Sequence, residues 1–114
     1  MKSTTVIVDL DGVILHHYGA PSYSWQTYEL NPGVLLKFDE WEMEGTCIII
    51  MTARKECCRK ELEIELRKLG LFWDQLIMGV TSGDRVLYND MKGTNYSAFA
   101  VNVERNRGLG PTEY

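Results

Sequence analysis

Cysteine is scarce in this sequence: there are three in 114 residues, two of them adjacent at Cys57-Cys58 and the third inside the apolar run Cys47 to Met51. That number and spacing exclude a disulfide framework and do not match the spacing of zinc ligands, so nothing points to an oxidising compartment. Long apolar runs are missing as well. The longest, Cys47 to Met51, falls far short of the roughly 20 residues that a spanning helix needs. The start MKSTTVIVDLD passes straight into a charged strand end rather than a signal-peptide core. A cytoplasmic protein with no membrane contact is expected. Excess positive charge is also lacking: 12 Lys and Arg stand against 16 Asp and Glu, for a net charge of -4. Such a balance argues against a surface built to release counterions from a nucleic-acid backbone, so no nucleic-acid partner is expected.

What is present suits one compact globular domain over residues 1–114, with 45% hydrophobic and 25% charged residues and no internal repeat or linker. Thr5 to Val8 is β-branched and apolar, as a buried parallel strand should be. Residues 15–30, with HHYGAPSYSWQTYEL, lack helical periodicity and read as an aromatic flap. Asn31-Pro32-Gly33 then resembles a helix start, with Asn31 as N-cap, an apolar stripe through Leu35, Phe38 and Trp41, and Gly45 as the stop. Thr46 to Met51 is a second strand. Cys58, Leu62, Leu66 and Leu69 recur at helical spacing up to Gly70. Gln75–Met78, Arg85–Tyr88 and Ala98–Val103 are three further strand candidates, and residues 105–114 read as a tail. Alternating strands and helices predict an α/β fold: a Rossmann-like three-layer α/β/α sandwich with a mainly parallel five-stranded sheet and no large cap domain. Ligands of such sheets bind outside the carboxyl ends of the strands.

Several candidate residues fall at those ends. Asp9 and Asp11 follow the first strand, Thr52 the second, and Asn89-Asp90 the fourth. Two carboxylates separated by one leucine gain nothing from crowding unless a cation compensates them. Gly12 lets the chain turn and bring both toward one cavity. With Asp90 added, the cluster suits Mg²⁺, with a phosphate supplying further oxygens. One acid can then be ionised and nucleophilic while the other holds and releases a proton. Thr52, just ahead of a helix, is placed to favour an anion. The set amounts to a phosphoryl-transfer site.

The runs VIVDLDGVI, IIIMTAR and RVLYND, in that order and each led by an apolar strand, resemble the first, second and fourth motifs of the haloacid dehalogenase superfamily of phosphatases. Within that superfamily, LIMGVTSGDRVLYNDMK with AVNVERNRGL behind it is similar to small phosphatases associated with capsule or lipopolysaccharide biosynthesis. The resemblance implies a Mg²⁺-dependent phosphomonoesterase acting through an aspartyl-phosphate on a phosphorylated sugar or other small metabolite. Asp9 would be the nucleophile and a metal ligand. Asp11 would be the acid and base, with its carbonyl on the metal. Thr52, Ala53, Arg54 and Lys92 would bind phosphate, and Asp90, with Asn89 beside it, would complete the metal site. The family usually carries a lysine before the fourth motif; here GVTSGDR holds none. Arg54, Lys92 or Arg85 would supply the charge, with Arg54 or Lys92 favoured on reach. The alternative is a catalytically weak domain of the same family that binds metal and regulates. Without a cap, the open site either admits a bulky substrate or borrows a lid from another subunit of a homo-oligomer.

Overall fold

The computed structural model describes residues 3–19, 28–111 and 114. Strand β1 (Thr5–Asp9) is followed, after a long connection, by helix α1 (Val34–Glu44) and strand β2 (Cys47–Met51). A 3₁₀ turn (Glu56–Cys58) leads into helix α2 (Arg59–Lys68), and strand β3 (Gln75–Ile77) ends the regular structure. The fold is α/β, with a three-stranded sheet in the order β1-β2-β3. Both pairings are parallel, with Asp9 opposite Met51 and Met51 opposite Ile77. No helix among the described residues is long and apolar enough to cross a membrane.

The register explains the core. Val8, Ile50 and Leu76 stand opposite one another across the three strands, and all three are buried. They join Ile48 of β2, Val34, Phe38 and Trp41 of α1, and Leu62 and Leu66 of α2 in one apolar cluster. The alternate row, Ile7 opposite Ile49, is more open, with Ile7 51% exposed. The strands therefore bury one face well and the other in part, which is the period-two signature of a sheet with unequal faces.

Helix α1 departs from its expected start. Its N-cap is Gly33, in the left-handed region at φ 77, and no side chain caps it. Asn31 instead donates from Nδ2 to the Val13 carbonyl and from its backbone N–H to Ile14, tying the helix entrance to the loop after β1. Gly45 stops the helix in the left-handed conformation, as its position in the sequence suggests. Across the same entrance runs the later chain. Leu109 N–H donates to the Pro32 carbonyl, and a side chain at Gly108 would collide with that carbonyl. Residues 108 and 109 thus pack directly on the α1 entrance.

The expected fourth and fifth strands are not there. Arg85–Tyr88 and Ala98–Val103 carry no strand, and Val86 and Tyr88 are 75% and 94% exposed. Strand propensity is mostly the fit of a side chain to a half-buried pleated surface, so an apolar run without a paired neighbour does not make one. The turn at Lys92 (φ 56) and Gly93 (φ 84) and the glycines at 79 and 83 cut this region into short lengths. A three-stranded parallel sheet with two α-helices is what the described residues show. Half of the expected flap, residues 20–27, lies outside the described residues.

Two substitutions on neighbouring strands separate the buried face from the open one. Ile50→Ala, at a fully buried position, is expected to lower unfolding free energy by about 2–5 kcal/mol in urea titration. Ile7→Ala is expected to lower it by no more than about 1 kcal/mol, since half its side chain is already wet.

Candidate functional site at the carboxyl ends of the strands

Because β1 and β2 are parallel and Asp9 faces Met51, both chains leave the sheet at the same level. Beyond β1 the backbone folds into a tight loop. Leu10 accepts from the amides of Val13, Ile14 and Leu15, and Gly12, at φ 92, donates back to Leu15. A positive φ is easily reached only without a Cβ, so this loop depends on glycine. Beyond β2 the chain is held to β3: Thr52 N–H donates to Ile77, and the Thr52 carbonyl accepts from Val80. The Thr52 hydroxyl accepts the Arg54 amide at 3.1 Å. The first helical turn begins only at Glu56, so Thr52 shapes the loop and does not cap the helix.

These two loops meet through one ion pair. Arg54, only 2% exposed, donates from Nη2 to Asp11 Oδ1 at 2.7 Å and from Nε to Oδ2 at 3.0 Å. This two-pronged geometry is the strongest form of a guanidinium–carboxylate contact. The other side of the guanidinium lies over the Tyr28 ring, 5.5 Å from its centroid, and the Tyr28 hydroxyl reaches Glu61 on α2. Burial and the Glu61 charge push the Tyr28 phenol up, so it stays neutral beside the cation.

Asp9 is treated differently. Its Oδ1 accepts the Leu10 amide at 2.9 Å and faces Arg85 Nη1 at 3.3 Å, with both side chains more than a third exposed. Burial pushes its carboxyl above the ordinary value of 3.8, against the Arg85 guanidinium and the Leu10 amide, and the neighbouring Asp11 charge adds to the rise. Two carboxylates that feel each other, one of them already short of solvation, make a site that a cation relieves.

The remaining candidates are not brought in. Asn89 donates to the Asp90 carbonyl and to Ser97, whose hydroxyl also reaches Asp90, so this stretch is knitted to itself. Ala53 is exposed beside Arg54. Lys92 is exposed, and among the described residues it pairs with neither acid, whose cations are Arg54 and Arg85. No three His, Cys, Asp or Glu side chains among the described residues gather into a cation-holding group. Asp9 and Asp11 could hold Mg²⁺ as a pair, since that ion commonly takes one or two carboxylates and completes its shell with substrate oxygens and water. Arg85, which reach alone places behind Arg54 and Lys92 as the compensating charge, is the cation that meets Asp9; its place directly before the VLY run is the signal. Asn106 went unremarked. It accepts the His17 amide at 2.7 Å, and its own amide N–H donates to Gly12 at 2.8 Å, holding the loop after β1 from outside.

No family model matches the chain, and no curated protein matches it. Solved structures do. A chain of the Pnkp1/Rnl/Hen1 complex is 27% identical with a TM-score of 0.58, the match covering 74% of this chain and 30% of that one. A chain of the Pnkp1/Rnl/Hen1 RNA repair complex is 28% identical with a TM-score of 0.57, covering 73% and 27%. This chain therefore spans less than a third of those proteins. A protein from Vibrio cholerae, at 19% identity and a TM-score of 0.53 over 81% of this chain and 83% of that one, shares the fold.

These matches correct the sequence reading. Membership of the haloacid dehalogenase superfamily finds no support, and the neighbours of higher identity belong to an RNA repair complex. The expected sugar-phosphate or small-metabolite substrate and the expected absence of a nucleic-acid partner are overturned by the same finding. The physical reason is that net charge averages the whole surface. Asp39, Glu40, Glu42 and Glu44 on α1, against Lys37 alone, carry much of the negative excess, while Arg54 and Arg85 sit at the strand ends.

Two outcomes test the electrostatics. Arg54→Met strands Asp11 without its guanidinium and is expected to lower stability by about 3 kcal/mol. In an Asp11→Asn background the same change should lower it by at least about 1 kcal/mol less, read from a double-mutant cycle in urea. For Asp9 the folded pKa is raised, so the native chain holds the extra proton and loses stability as pH climbs through the interval above about 4. Asp9→Asn should therefore melt no lower than the parent at pH 7, with any gain disappearing in acid below about pH 4. A clear drop at neutral pH would show that the Arg85 pair outweighs burial.

Proposed function

We propose that this chain hydrolyses a phosphate monoester at the end of a nucleic-acid strand, using Asp9 and Asp11 with Mg²⁺. The observation that carries this reading is the nearly sealed Arg54 guanidinium, two-pronged on Asp11, the acid whose charge the half-buried Asp9 also feels. A guanidinium fork fits phosphate as well as carboxylate. An arriving phosphate dianion competes with Asp11 for Arg54, and Asp11, released from that pair, is free to hold or pass a proton at the departing oxygen or at water. Asp9 stays against the phosphate. Thr52 Oγ, already accepting the Arg54 amide, has its own proton to donate to a phosphate oxygen. Arg85 supplies a second positive charge at the mouth. Mg²⁺, when bound, neutralises the two acids and the phosphate together.

The substrate class rests on the RNA repair complexes that the chain resembles. The acidic face of α1 repels a polyanion, while Arg54 and Arg85 draw one to the strand ends, which favours engagement of a strand terminus over a long run of backbone. Because the neighbours are larger chains of a complex, other parts of such an assembly would hold the rest of the strand. Three cysteines free of disulfides support a cytoplasmic setting.

The test is phosphate release from short RNA and DNA oligonucleotides bearing a 5′- or 3′-phosphate, with Mg²⁺ or with chelator. Turnover with Mg²⁺ that falls at least about 10²-fold in Asp9→Asn is expected, with sugar phosphates poor substrates. Equal turnover in Asp9→Asn, or equal use of sugar phosphates, would overturn the reading. Since few phosphates are contacted, binding should weaken only gently with salt.

A further inference from the structure

The 3₁₀ turn Glu56–Cys58 carries two thiols that the site described above does not use. Cys57 Sγ and Cys58 Sγ lie 3.9 Å apart, and Cys57 is exposed while Cys58 is half-buried. Adjacent side chains in a strand would point to opposite faces; the tight turn brings these two together. The turn is also held still. Cys58 N–H donates to the Lys55 carbonyl. Arg59 grips Glu56 through two bonds of 2.7 and 2.8 Å and reaches the Leu76 carbonyl at 2.8 Å, pinning the turn to the end of β3. The thiols are therefore presented by a braced backbone.

We propose that Cys57 and Cys58 form a two-sulfur chelating site for a thiophilic divalent cation of the Zn²⁺ or Cd²⁺ type. Two thiolates on a tetrahedral ion with metal–sulfur bonds of about 2.3 Å stand about 3.8 Å apart, which is the spacing already present. A shallow cleft beside the pair is lined by Cys57, Lys60, Glu61, Ile64 and Glu65, which sets two carboxylates against one ammonium. Contact with Cys57, burial and the Glu61 charge together push the Cys58 thiol up, the electrostatics that a bound cation reverses. On binding, each S–H gives its proton to solvent and each sulfur forms one bond to the metal. Two protons leave per ion, and no electrons are transferred. With no third His, Cys, Asp or Glu grouped there among the described residues, water completes the shell and the ion exchanges readily. The turn lies between Arg54 and α2, so a bound ion stiffens the segment that carries the buried guanidinium.

Titration of the reduced full chain with Cd²⁺, followed by the ultraviolet thiolate-to-cadmium charge-transfer band and by proton release, tests this. One ion and close to two protons per chain are expected. Cys57→Ser and Cys58→Ser should each weaken binding by about 10²-fold or more, the loss expected when a linked second ligand is removed. Cys47→Ser, on β2, should leave it unchanged. A trivalent arylarsenic oxide should add once to the parent with loss of one water, as two As–S bonds replace the As–O bond, and should not add stably to either single variant. Affinity within threefold of the parent in both single variants, a stable arsenical adduct on either of them, or loss of binding in Cys47→Ser would overturn the proposal. None of these readouts depends on phosphatase activity.

Discussion

The bidentate contact between Arg54 and Asp11 is the constraint that the rest of the strand-end region is arranged around. A guanidinium excluded from water is tolerable only with a partner that satisfies its charge and its geometry. Asp11 can be that partner only if the chain turns sharply after β1, which Gly12 allows, and if the loop after β2 is anchored, which Thr52 and Ile77 secure. The pair therefore fastens two loops that are far apart in sequence. It leaves Asp9, two residues earlier at the end of β1, as the acid with the looser partner and the less comfortable solvation. Unequal environments for two neighbouring carboxylates are what lets them do different work.

Much of this was readable beforehand because it depends on local signals. The apolar β-branched runs at Val6–Val8 and Ile48–Ile50 gave β1 and β2. The spacing of Leu62 and Leu66 gave the buried stripe of α2, and the Gly45 stop gave the end of α1. The positions of Asp9, Asp11, Thr52 and Arg54 followed from where those strands end. What Arg54 touches was not readable. A residue directly after a strand is ordinarily solvated, and only the return of the loop after β1 and the approach of Tyr28 enclose it.

Elsewhere local signals misled for identifiable reasons. Arg85-Val86-Leu87-Tyr88 has the composition of a strand, but a strand is a pairing relation and not a property of four residues. Asn31 has the chemistry of an N-cap, yet its amide is needed by Val13 across the chain. Asp90 and Lys92 were assigned by motif order; among the described residues no cation-holding group of three gathers around the two acids, whose ion-pair partners are Arg54 and Arg85. The partner class was misjudged from net charge, which carries no information on where the charges lie. A resemblance resting on short motifs likewise specifies which residues follow strands without specifying the wider lineage, and the likeness to RNA repair complex chains reached over three quarters of the chain at most.

Strand β1 has β2 as its single neighbour among the described strands. Its outer row of backbone donors and acceptors is thus a template on which a guest strand can register, and the half-open Ile7 side chain offers such a guest some apolar cover. Five residues limit the zipper to a few hydrogen bonds, too weak to recruit a stranger but ample for a segment already delivered nearby. In a longer protein or an assembly, this is one of the two sides, with β3 the other, from which the sheet can grow.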